Sequence, residues 1–498
     1  MIGGLGALAC SLALGACSSS ISIPLSTIAI AQPRPPAEVR LAVEEEEQRY
    51  FETEQPEWGL ALSGGGLRSA MFSVGFLKGL WDIEQLDKIE VVSSVSGGGY
   101  AAFWLYSDQL RAADPRMPFG HSALSDERFG NQLCRLVSRG NFVPYSRLFS
   151  LVGPNFRFRS ISLYEDALLR TFAGDSMAGL PISDLAGIME RGPNPAPYLI
   201  QNASIDATRS WNTRLLEFTP LFYGNGQSRY GWGDANGTAL PFVKTSAISG
   251  AAFAPLNQWL GLIDPGNSGS RNFVANDGGL SENLGAFALI RRGVRNIIVT
   301  DAEHDPGYIF NAYRNLRAGL AAHGLALRVP QIEDHMFYNG NAPFEHWAVS
   351  GTVRDMRTGN LVSNIYYVKA TLTQGQRTTL STHLADGSIG QGEVARYGRA
   401  LNESTSGGKT DCDTLSLDRP LDLAPWASHH VAGYANSIDS SLKSDVVRRL
   451  GINDAIIDFP QYSTGDQSFY TDQSSAFIGL GYLEALALRE VLAGQSAQ

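Results

Sequence analysis

The chain has 498 residues, of which 44 % are hydrophobic and 18 % are charged, and its formal net charge is -10. This length is sufficient for a large core and for more than one domain. The acidic balance provides no basic surface for nucleic acid, so we predict no nucleic-acid partner. The four cysteines are too few and too scattered for a disulfide framework or a structural zinc site, and we predict no metal and no cofactor.

The N-terminus has the pattern of an export signal. An uncharged apolar run, shorter than the roughly 20 residues of a membrane-spanning helix, ends at Cys17 and passes into serines. Residues 14–17, LGAC, resemble the bacterial lipoprotein box, in which the cysteine becomes lipid-modified. We therefore predict a signal peptide over residues 1–17 and an exported protein that Cys17 anchors to a bacterial (outer) membrane. The alternative is an ordinary cleaved signal peptide on a periplasmic or secreted protein.

A tether is predicted to follow, over residues 18–55. This stretch is rich in serine and proline and ends near the acidic run EEEEQ, which we interpret as a short charged helix. From residue 56 the sequence pattern predicts alternating buried strands and amphipathic helices. We therefore predict one domain over residues 56–490, with a cap-like insertion at about residues 105–235, where aromatic, proline and glycine residues are mixed.

Two strand–glycine–helix units follow each other. WGLALS is a short buried strand, three glycines end it, and apolar residues then recur at helical spacing from Leu67 to Trp81. IEVVSSV is a second strand, which residues 97–99 (GGG) end before a helix that continues through YAAFWLY. A right-handed crossover makes the two strands parallel, so both glycine loops emerge at the same edge of the sheet. We therefore expect the two loops to line one pocket.

The second glycine loop has the pattern of a nucleophile turn. A serine on a tight strand-to-helix turn needs small residues two positions before and after it, because the backbones come close. Ser96 has Ser94 and Gly98 at these positions, with Ser94 in place of the usual glycine. Ser63 is the alternative nucleophile, but choosing it leaves the second loop without a role. We therefore predict Ser96 as the nucleophile.

The first glycine loop then has a role of its own. The N–H groups of Gly64, Gly65 and Gly66, at a helix N-terminus, are suited to bind a developing oxyanion. Arg68, in the first helical turn, is predicted to add positive charge near an anionic substrate headgroup. A phosphate-binding loop is the competing interpretation, but neither nucleotide-binding glycine spacing is present. A purely structural turn is the other alternative.

A serine hydroxyl requires a base, and Asp277 is the candidate. RNFVANDGG repeats the strand–turn pattern, and an amphipathic helix and the strand VRNIIVTD follow it. Asp277 is therefore expected at the same kind of sheet edge as Ser96. An aspartate before two glycines is also a common turn former, so the local pattern leaves both interpretations open.

SGGGLR, SVSGGG and NDGG together resemble the patatin-like phospholipases and, more distantly, the cytosolic phospholipase A2 catalytic domain. The resemblance extends through TSAISGAAFAPL and a C-terminal tail that begins at residue 459. It implies a three-layer α/β/α fold with a mainly parallel central sheet and helical or loop cap insertions. It also implies a catalytic dyad of Ser96 and Asp277 without histidine, with Gly64, Gly65, Gly66 and Arg68 in the oxyanion loop.

The predicted function is that of a serine acyl hydrolase, by default a phospholipase A, acting on phospholipids or other acyl esters at a membrane surface. One alternative is an α/β-hydrolase triad of Ser96, an acid such as Asp301, and His383 or His430. Another is a silent lipid-binding lipoprotein, but its signature would be loss of Ser96, Asp277 or the glycine loop, and none is lost.

Two further predictions concern the second half of the chain. Asp301 and Asp305 end a buried strand and could hold a cation, although two acids at this spacing are common at strand ends. Residues 348–372 alternate like a β-hairpin with a turn near Thr358 and Gly359, which we expect to extend the sheet.

Overall fold

The structure is a computed structural model. It describes residues 18–20, 41–51, 53–112, 117–138, 165–190, 195–205, 214–226, 229–232, 239–250, 274–339, 342–406, 409–435, 459–462, 464 and 469–495. The predicted signal peptide and its Cys17 lie outside the described residues, as does most of the predicted tether. No helix within these ranges is both long enough and apolar enough to span a membrane.

The strands form one large mixed sheet and one small hairpin. In chain order they are β1 (Ser18–Ser20), β2 (Trp58–Leu62), β3 (Val91–Val95), β4 (Tyr198–Ile205), β5 (Leu215–Phe218), β6 (Phe222–Gly224), β7 (Arg229–Gly231), β8 (Val274–Asp277), β9 (Asn296–Asp301), β10 (Leu325–Arg328), β11 (Ala348–Asp355), β12 (Leu361–Lys369), β13 (Thr405–Ser406) and β14 (Lys409–Thr410).

Helices flank the large sheet. The α-helices are α1 (Gly66–Asp82), α2 (Gly97–Arg111), α3 (His121–Leu124), α4 (Asp126–Ser138), α5 (Ala186–Met189), α6 (Phe242–Ser249), α7 (Ala286–Arg291), α8 (Asn311–Ala321), α9 (Pro330–Tyr338), α10 (Gln374–Ala385), α11 (Gln391–Glu403), α12 (Leu423–Tyr434) and α13 (Thr471–Gln495). Short 3-10 or π turns occur at Gln48–Tyr50, Leu86–Lys88, Leu169–Ala173, Asp175–Met177, Ile182–Leu185 and Gly278–Leu280.

The centre of the sheet is parallel. Strands β12, β9, β2, β3 and β4 lie side by side and run in the same direction, and the strands outside them pair antiparallel. β2 and β3 are buried almost throughout, as expected for parallel strands that helices cover on both sides. Leu62 pairs with Ser94, so both glycine loops leave the sheet at the same edge. The predicted α/β fold is confirmed.

The predicted hairpin is also confirmed. β11 and β12 pair antiparallel, and Gly359 lies in the turn between them with a positive φ of 74°. β12 then pairs in parallel with β9, so the hairpin extends the sheet as expected.

Within the predicted cap-like insertion at residues 105–235, several described segments belong to the sheet and its flanking helices. The first residues of this range continue α2, and β4 is a buried strand of the parallel centre. β5, β6 and β7 extend the sheet antiparallel from β4. The aromatic and glycine residues here form short sheet strands, which the mixed composition did not distinguish from a cap.

Part of the predicted tether, residues 41–51, also packs against the domain. Val43 and Phe51 belong to the core, and the acidic run does not form an exposed charged helix. Glu44 pairs with Arg291 at 2.7 Å, and Glu47 pairs with Arg292 at 2.6 Å, all four side chains being buried. Buried ion pairs require good geometry to offset the loss of hydration. Residues 41–51 are therefore part of the packed domain.

One disulfide joins α4 to the segment that precedes α12. Cys134 and Cys412 are bonded, with a sequence separation of 278 residues. The cysteine count and spacing did not predict this bond. The two residues meet only through the tertiary fold.

Candidate active site

Ser96 lies on a sharp turn between β3 and α2. Its φ is 49° and its ψ is -119°, a region that residues other than glycine seldom adopt. The turn is tight because a Cβ at Gly97 or Gly98 would collide with the carbonyl oxygens of Gly66 and Leu62. The turn therefore brings the two glycine loops into contact and holds Ser96 at the sheet edge.

The backbone of Ser96 is held by a serine that the sequence analysis did not single out. The Ser96 N–H donates to Ser249 Oγ at 2.9 Å, and Ser249 Oγ donates to the carbonyl of Asn202 at 2.6 Å. Ser249 ends α6, within the TSAISG segment noted for its family likeness. The family likeness of this segment was the one feature that could have drawn attention to Ser249. No local sequence pattern predicted its contact with Ser96.

Asp277 reaches Ser96 by a route that the sequence did not predict. β8 runs antiparallel to β4, on the side of β4 where β3 also pairs. β3 pairs with Tyr198–Asn202 of β4, and β8 pairs with the following residues of β4, Ala203–Ile205. The C-terminal ends of β3 and β8 therefore meet end to end. Ser96 Oγ lies 3.2 Å from Asp277 Oδ2 and donates a hydrogen bond to it.

The environment of Asp277 makes it a better proton acceptor. Burial raises the pKa of Asp277 from 3.8 to about 6, although hydrogen bonds from the Gly279 N–H and the Ser96 hydroxyl act in the opposite direction. The Gly279 N–H donates to Asp277 Oδ1 at 2.8 Å and fixes the carboxylate. A general base is most effective when its pKa lies near the working pH. Asp277 is therefore mainly ionised at neutral pH, and its pKa of about 6 is close to the pKa that a general base requires.

The three N–H groups of the first glycine loop differ in their hydrogen bonds. The Gly64 N–H already donates to the carbonyl of Asn283 at 2.8 Å. Gly65 and Gly66 have positive φ values of 145° and 62°, and their N–H groups have no acceptor in the part of the chain that the structure describes. Both precede or begin α1, so the helix dipole also favours an anion there. The predicted oxyanion role therefore narrows to Gly65 and Gly66.

Asn283 is a second residue that the sequence analysis missed. Its carbonyl holds Gly64, and its side-chain amide lies so close to that glycine that a Cβ at Gly64 would collide with Asn283 Oδ1. The residue lies in the turn between Asp277 and α7, where an asparagine carries no distinctive chemical signal.

A cavity of about 260 Å³ opens at this place. The described residues that line it are Gly65, Ser96, Asp277, Gly279, Leu280, Asn283, Glu303, His304, Ala312, Asn315 and Thr464. The nucleophile candidate, the base candidate and the glycine loop thus share one cavity.

The remaining predicted site residues have structural contacts. Ser94 is buried in β3 and donates to the carbonyl of Ile200 at 3.4 Å, and Gly98 donates its N–H to the carbonyl of Ser63. Arg68 is 1 % exposed and donates to the carbonyls of Ala302 and Tyr462. Arg68 is absent from the described lining of the cavity, so its predicted headgroup contact is corrected to a contact that joins α1 to other segments.

The rival nucleophile, Ser63, is also structural. It is fully buried, its Oγ accepts the Ala302 N–H at 2.9 Å, and its own N–H donates to Thr300 Oγ1 at 3.1 Å. These contacts join the ends of β2 and β9.

The histidines proposed for a triad lie elsewhere. His383 is exposed near the end of α10, and His430 packs on Trp426 with ring centroids 4.4 Å apart. His429 contacts the carbonyl of Ile389. In the described lining of the cavity, His304 is the histidine present.

A buried lysine, Lys369, lies at the two acids that were considered as a cation site, Asp301 and Asp305. Lys369 Nζ lies 3.0 Å from Asp301 Oδ2 and 3.6 Å from Asp305 Oδ2. The described residues include no group of three or more metal-ligating side chains. At Asp301 and Asp305 the buried ammonium group of Lys369 therefore provides the positive charge.

The solved structures that resemble this chain include the human GIVD cytosolic phospholipase A2. The free protein is 11 % identical with a TM-score of 0.55, and the match covers 93 % of this chain and 66 % of that one. Its complex with methyl gamma-linolenyl fluorophosphonate and terbium chloride is 14 % identical, with a TM-score of 0.50 and coverage of 94 % and 66 %. The chain thus spans about two thirds of these relatives' length, and the likeness concerns the fold.

The sequence comparison finds one family that resembles part of the chain. No curated protein sequence matches the chain. The family model for patatin-like phospholipases matches residues 60–290, a range that begins in β2 and ends in α7. It contains both glycine loops, Ser96 and Asp277. Residues 60–290 are therefore similar to the patatin-like phospholipase family.

Proposed function

We propose that this protein is a serine acyl hydrolase that cleaves carboxylic esters of phospholipids or of other acyl lipids, with phospholipase A activity as the default. The observation that carries the proposal is the hydrogen bond of 3.2 Å between Ser96 Oγ and Asp277 Oδ2 in a cavity that Gly65 also lines. The match of residues 60–290 to the family model for patatin-like phospholipases supports a lipid ester as the substrate class.

Acylation begins with the Ser96 hydroxyl. Asp277 accepts its proton while Ser96 Oγ attacks the carbonyl carbon of the ester. The carbonyl oxygen becomes an oxyanion, which accepts hydrogen bonds from the N–H groups of Gly65 and Gly66. When the tetrahedral intermediate collapses, the ester C–O bond breaks and Asp277 returns the proton to the leaving alcohol.

Deacylation uses the same groups. A water molecule attacks the acyl carbon, Asp277 accepts its proton, and the same two N–H groups stabilise the second oxyanion. The bond to Ser96 Oγ then breaks, the proton returns to Ser96, and the fatty acid leaves. Every proton transfer in this cycle involves one carboxyl group, so no imidazole is required.

A Ser-His-Asp triad is the weaker candidate. His304 lines the cavity, but its Nδ1 contacts the carbonyl of Gln461 at 2.9 Å and not a carboxylate. Burial, together with the charge of Arg68, lowers the pKa of His304 to about 4. An imidazole with so low a pKa is a poor base at neutral pH.

Export and membrane anchoring remain part of the proposal. The lipoprotein-like sequence at Cys17 motivates it, and the disulfide between Cys134 and Cys412 supports an oxidising compartment, where such bonds persist. Cys17→Ser should move the protein from the detergent-soluble membrane fraction to the soluble fraction or block its processing. An unmodified N-terminus well beyond residue 17 would contradict the anchor.

The test of the function is the release of fatty acid from phospholipid vesicles. We expect the wild-type protein to release it and Ser96→Ala to release none above background. Ser63→Ala is the matched control, because it removes the corresponding hydroxyl at the end of β2. Equal activity of wild type and Ser96→Ala would reject the proposed function.

A further inference from the structure

The active-site cavity has a second carboxyl group, that of Glu303. This residue follows β9, lines the cavity with Ser96 and Asp277, and is 9 % exposed. Its Oε1 accepts the N–H of Ala312, in the first turn of α8, at 2.9 Å. Among the residues that the structure describes, none donates a hydrogen bond to its Oε2. One oxygen is thus fixed by the fold, and the other is available to a ligand.

The lysine near Glu303 does not fully neutralise the carboxylate of Glu303. Lys369 Nζ lies 3.9 Å from Glu303 Oε1, but it is closer to Asp301 and Asp305, at 3.0 and 3.6 Å. Three carboxyl groups therefore share one ammonium group, and the buried carboxyl of Glu484 lies near the same lysine. Burial and then the charge of Asp301 raise the pKa of Glu303 to about 7. Above this pH the cavity wall carries a negative charge.

The rest of the described lining provides no opposing charge. It contains no lysine or arginine, but the guanidinium of Arg68 lies behind it, bonded to backbone carbonyls and to Thr464 Oγ1, and contributes one positive charge. His304 is neutral because its pKa is lowered to about 4. Asn283, Asn315 and Thr464 are polar without charge. With Asp277 also ionised, the two carboxylates of the lining outnumber the single positive charge of Arg68 behind it.

We propose that Glu303 is a specificity-determining residue that favours acyl esters with a cationic group, such as the ammonium of an amine headgroup, in the alcohol part of the substrate. This inference rests on the proposed function, because it concerns which ester reaches Ser96. A carboxylate in a partly water-excluded cavity attracts a nearby cation more strongly than it would in bulk water. The same charge disfavours an anionic headgroup.

The experiment compares two esters of equal shape at pH 8. One is butyrylcholine, and the other is its neutral isostere, in which carbon replaces the quaternary nitrogen. We expect the wild type to prefer butyrylcholine in kcat/KM, and Glu303→Gln to lower this preference by about tenfold. Glu303→Asp should keep most of the preference because it keeps the charge. Glu345→Gln, which removes an exposed carboxylate outside the described cavity lining, should leave it unchanged.

An unchanged ratio in Glu303→Gln would overturn the proposal, and so would an equal fall for both esters, which would indicate a merely structural role. Binding of butyrylcholine to Ser96→Ala protein, with and without Glu303→Gln, provides a second readout. If the wild type hydrolyses neither ester and releases no fatty acid from phospholipid vesicles, the proposed function fails. The binding comparison would still decide the role of Glu303: a loss of affinity of about tenfold supports it, and equal affinity rejects it.

Discussion

Ser63 and Ser96 occupy equivalent positions in the chain but differ in their surroundings. Each follows a strand of the parallel centre and precedes three glycines that lead into a helix. Ser63 is bonded to the Ala302 N–H and fully buried, whereas Ser96 has a positive φ and donates to Asp277 in a cavity. The surroundings of such a local motif therefore depend on which segment meets it at the sheet edge.

The segments that meet the two serines differ in direction. The chain after β9 lies beside Ser63 and supplies a backbone N–H, because β2 and β9 are parallel neighbours. β8 approaches Ser96 end to end, so it supplies the carboxylate of Asp277 at its last residue. The predictions below remove, in turn, the features that distinguish Ser96 from Ser63.

Removing the carboxylate should have the largest effect. Asp277→Asn keeps the shape of the turn but cannot accept the Ser96 proton, and we expect kcat/KM to fall on the order of 10³-fold. The measurement is steady-state hydrolysis of a soluble acyl ester. Because burial raises the pKa of Asp277 in the fold, ionisation at pH 7 costs folding free energy, and a neutral amide avoids that cost. We therefore expect Asp277→Asn to unfold no earlier than the wild type at pH 7.

His304→Ala is the control for this prediction, since His304 lines the same cavity. The dyad predicts that this variant keeps its activity within about tenfold, which corresponds to about 1.4 kcal/mol. If Asp277→Asn stays active while His304→Ala is inactive and folded, a histidine-dependent mechanism replaces the dyad.

Protonating the carboxylate should reproduce part of this loss. Asp277 acts as a base only when ionised, and its pKa is about 6, so kcat/KM should rise with pH through that value and level off above it. Below pH 6 the rate should fall about tenfold for each pH unit. A pH profile of kcat/KM measures this, and a midpoint near 3.8, the ordinary value for aspartate, would contradict the effect of burial.

Loosening the Ser96 backbone should have a smaller effect. Ser249→Ala leaves the buried Ser96 N–H without its acceptor, which costs about 1–3 kcal/mol, and we expect kcat/KM to fall about tenfold. Ser246→Ala is the matched control, because Ser246 lies one turn earlier on α6 and is bonded to Gln201. Equal activity losses in the two variants would indicate a general effect on α6.

Ser63→Ala should change the activity least. Its hydroxyl accepts the Ala302 N–H, so its loss should destabilise the fold by about 1–3 kcal/mol. We expect kcat/KM within about threefold of the wild type, since Ser63 does not line the described cavity. Thermal unfolding together with the esterase assay checks both parts, and a loss of activity in a folded Ser63→Ala variant would contradict the difference between the two serines.

Local pattern was sufficient to predict the part of the fold in which neighbours in sequence are neighbours in space. The units around β2 and β3, and the hairpin of β11 and β12, follow from apolar periodicity and glycine positions. The antiparallel approach of β8 was not predictable, because a strand pattern carries no information on direction. Ser249 and Lys369 were missed for a related reason: their partners are 153 and 68 residues away in the chain.

Covalent labelling tests the central claim most directly. Trypsin separates the two serines, because Ser63 lies in the peptide of residues 50–68 and Ser96 in that of residues 89–111. After reaction of the wild type with a fluorophosphonate, which traps a serine nucleophile, we predict label in the peptide of residues 89–111 and none in Ser96→Ala protein. Label in the peptide of residues 50–68, or undiminished labelling of Ser96→Ala, would contradict the assignment of Ser96 as the nucleophile.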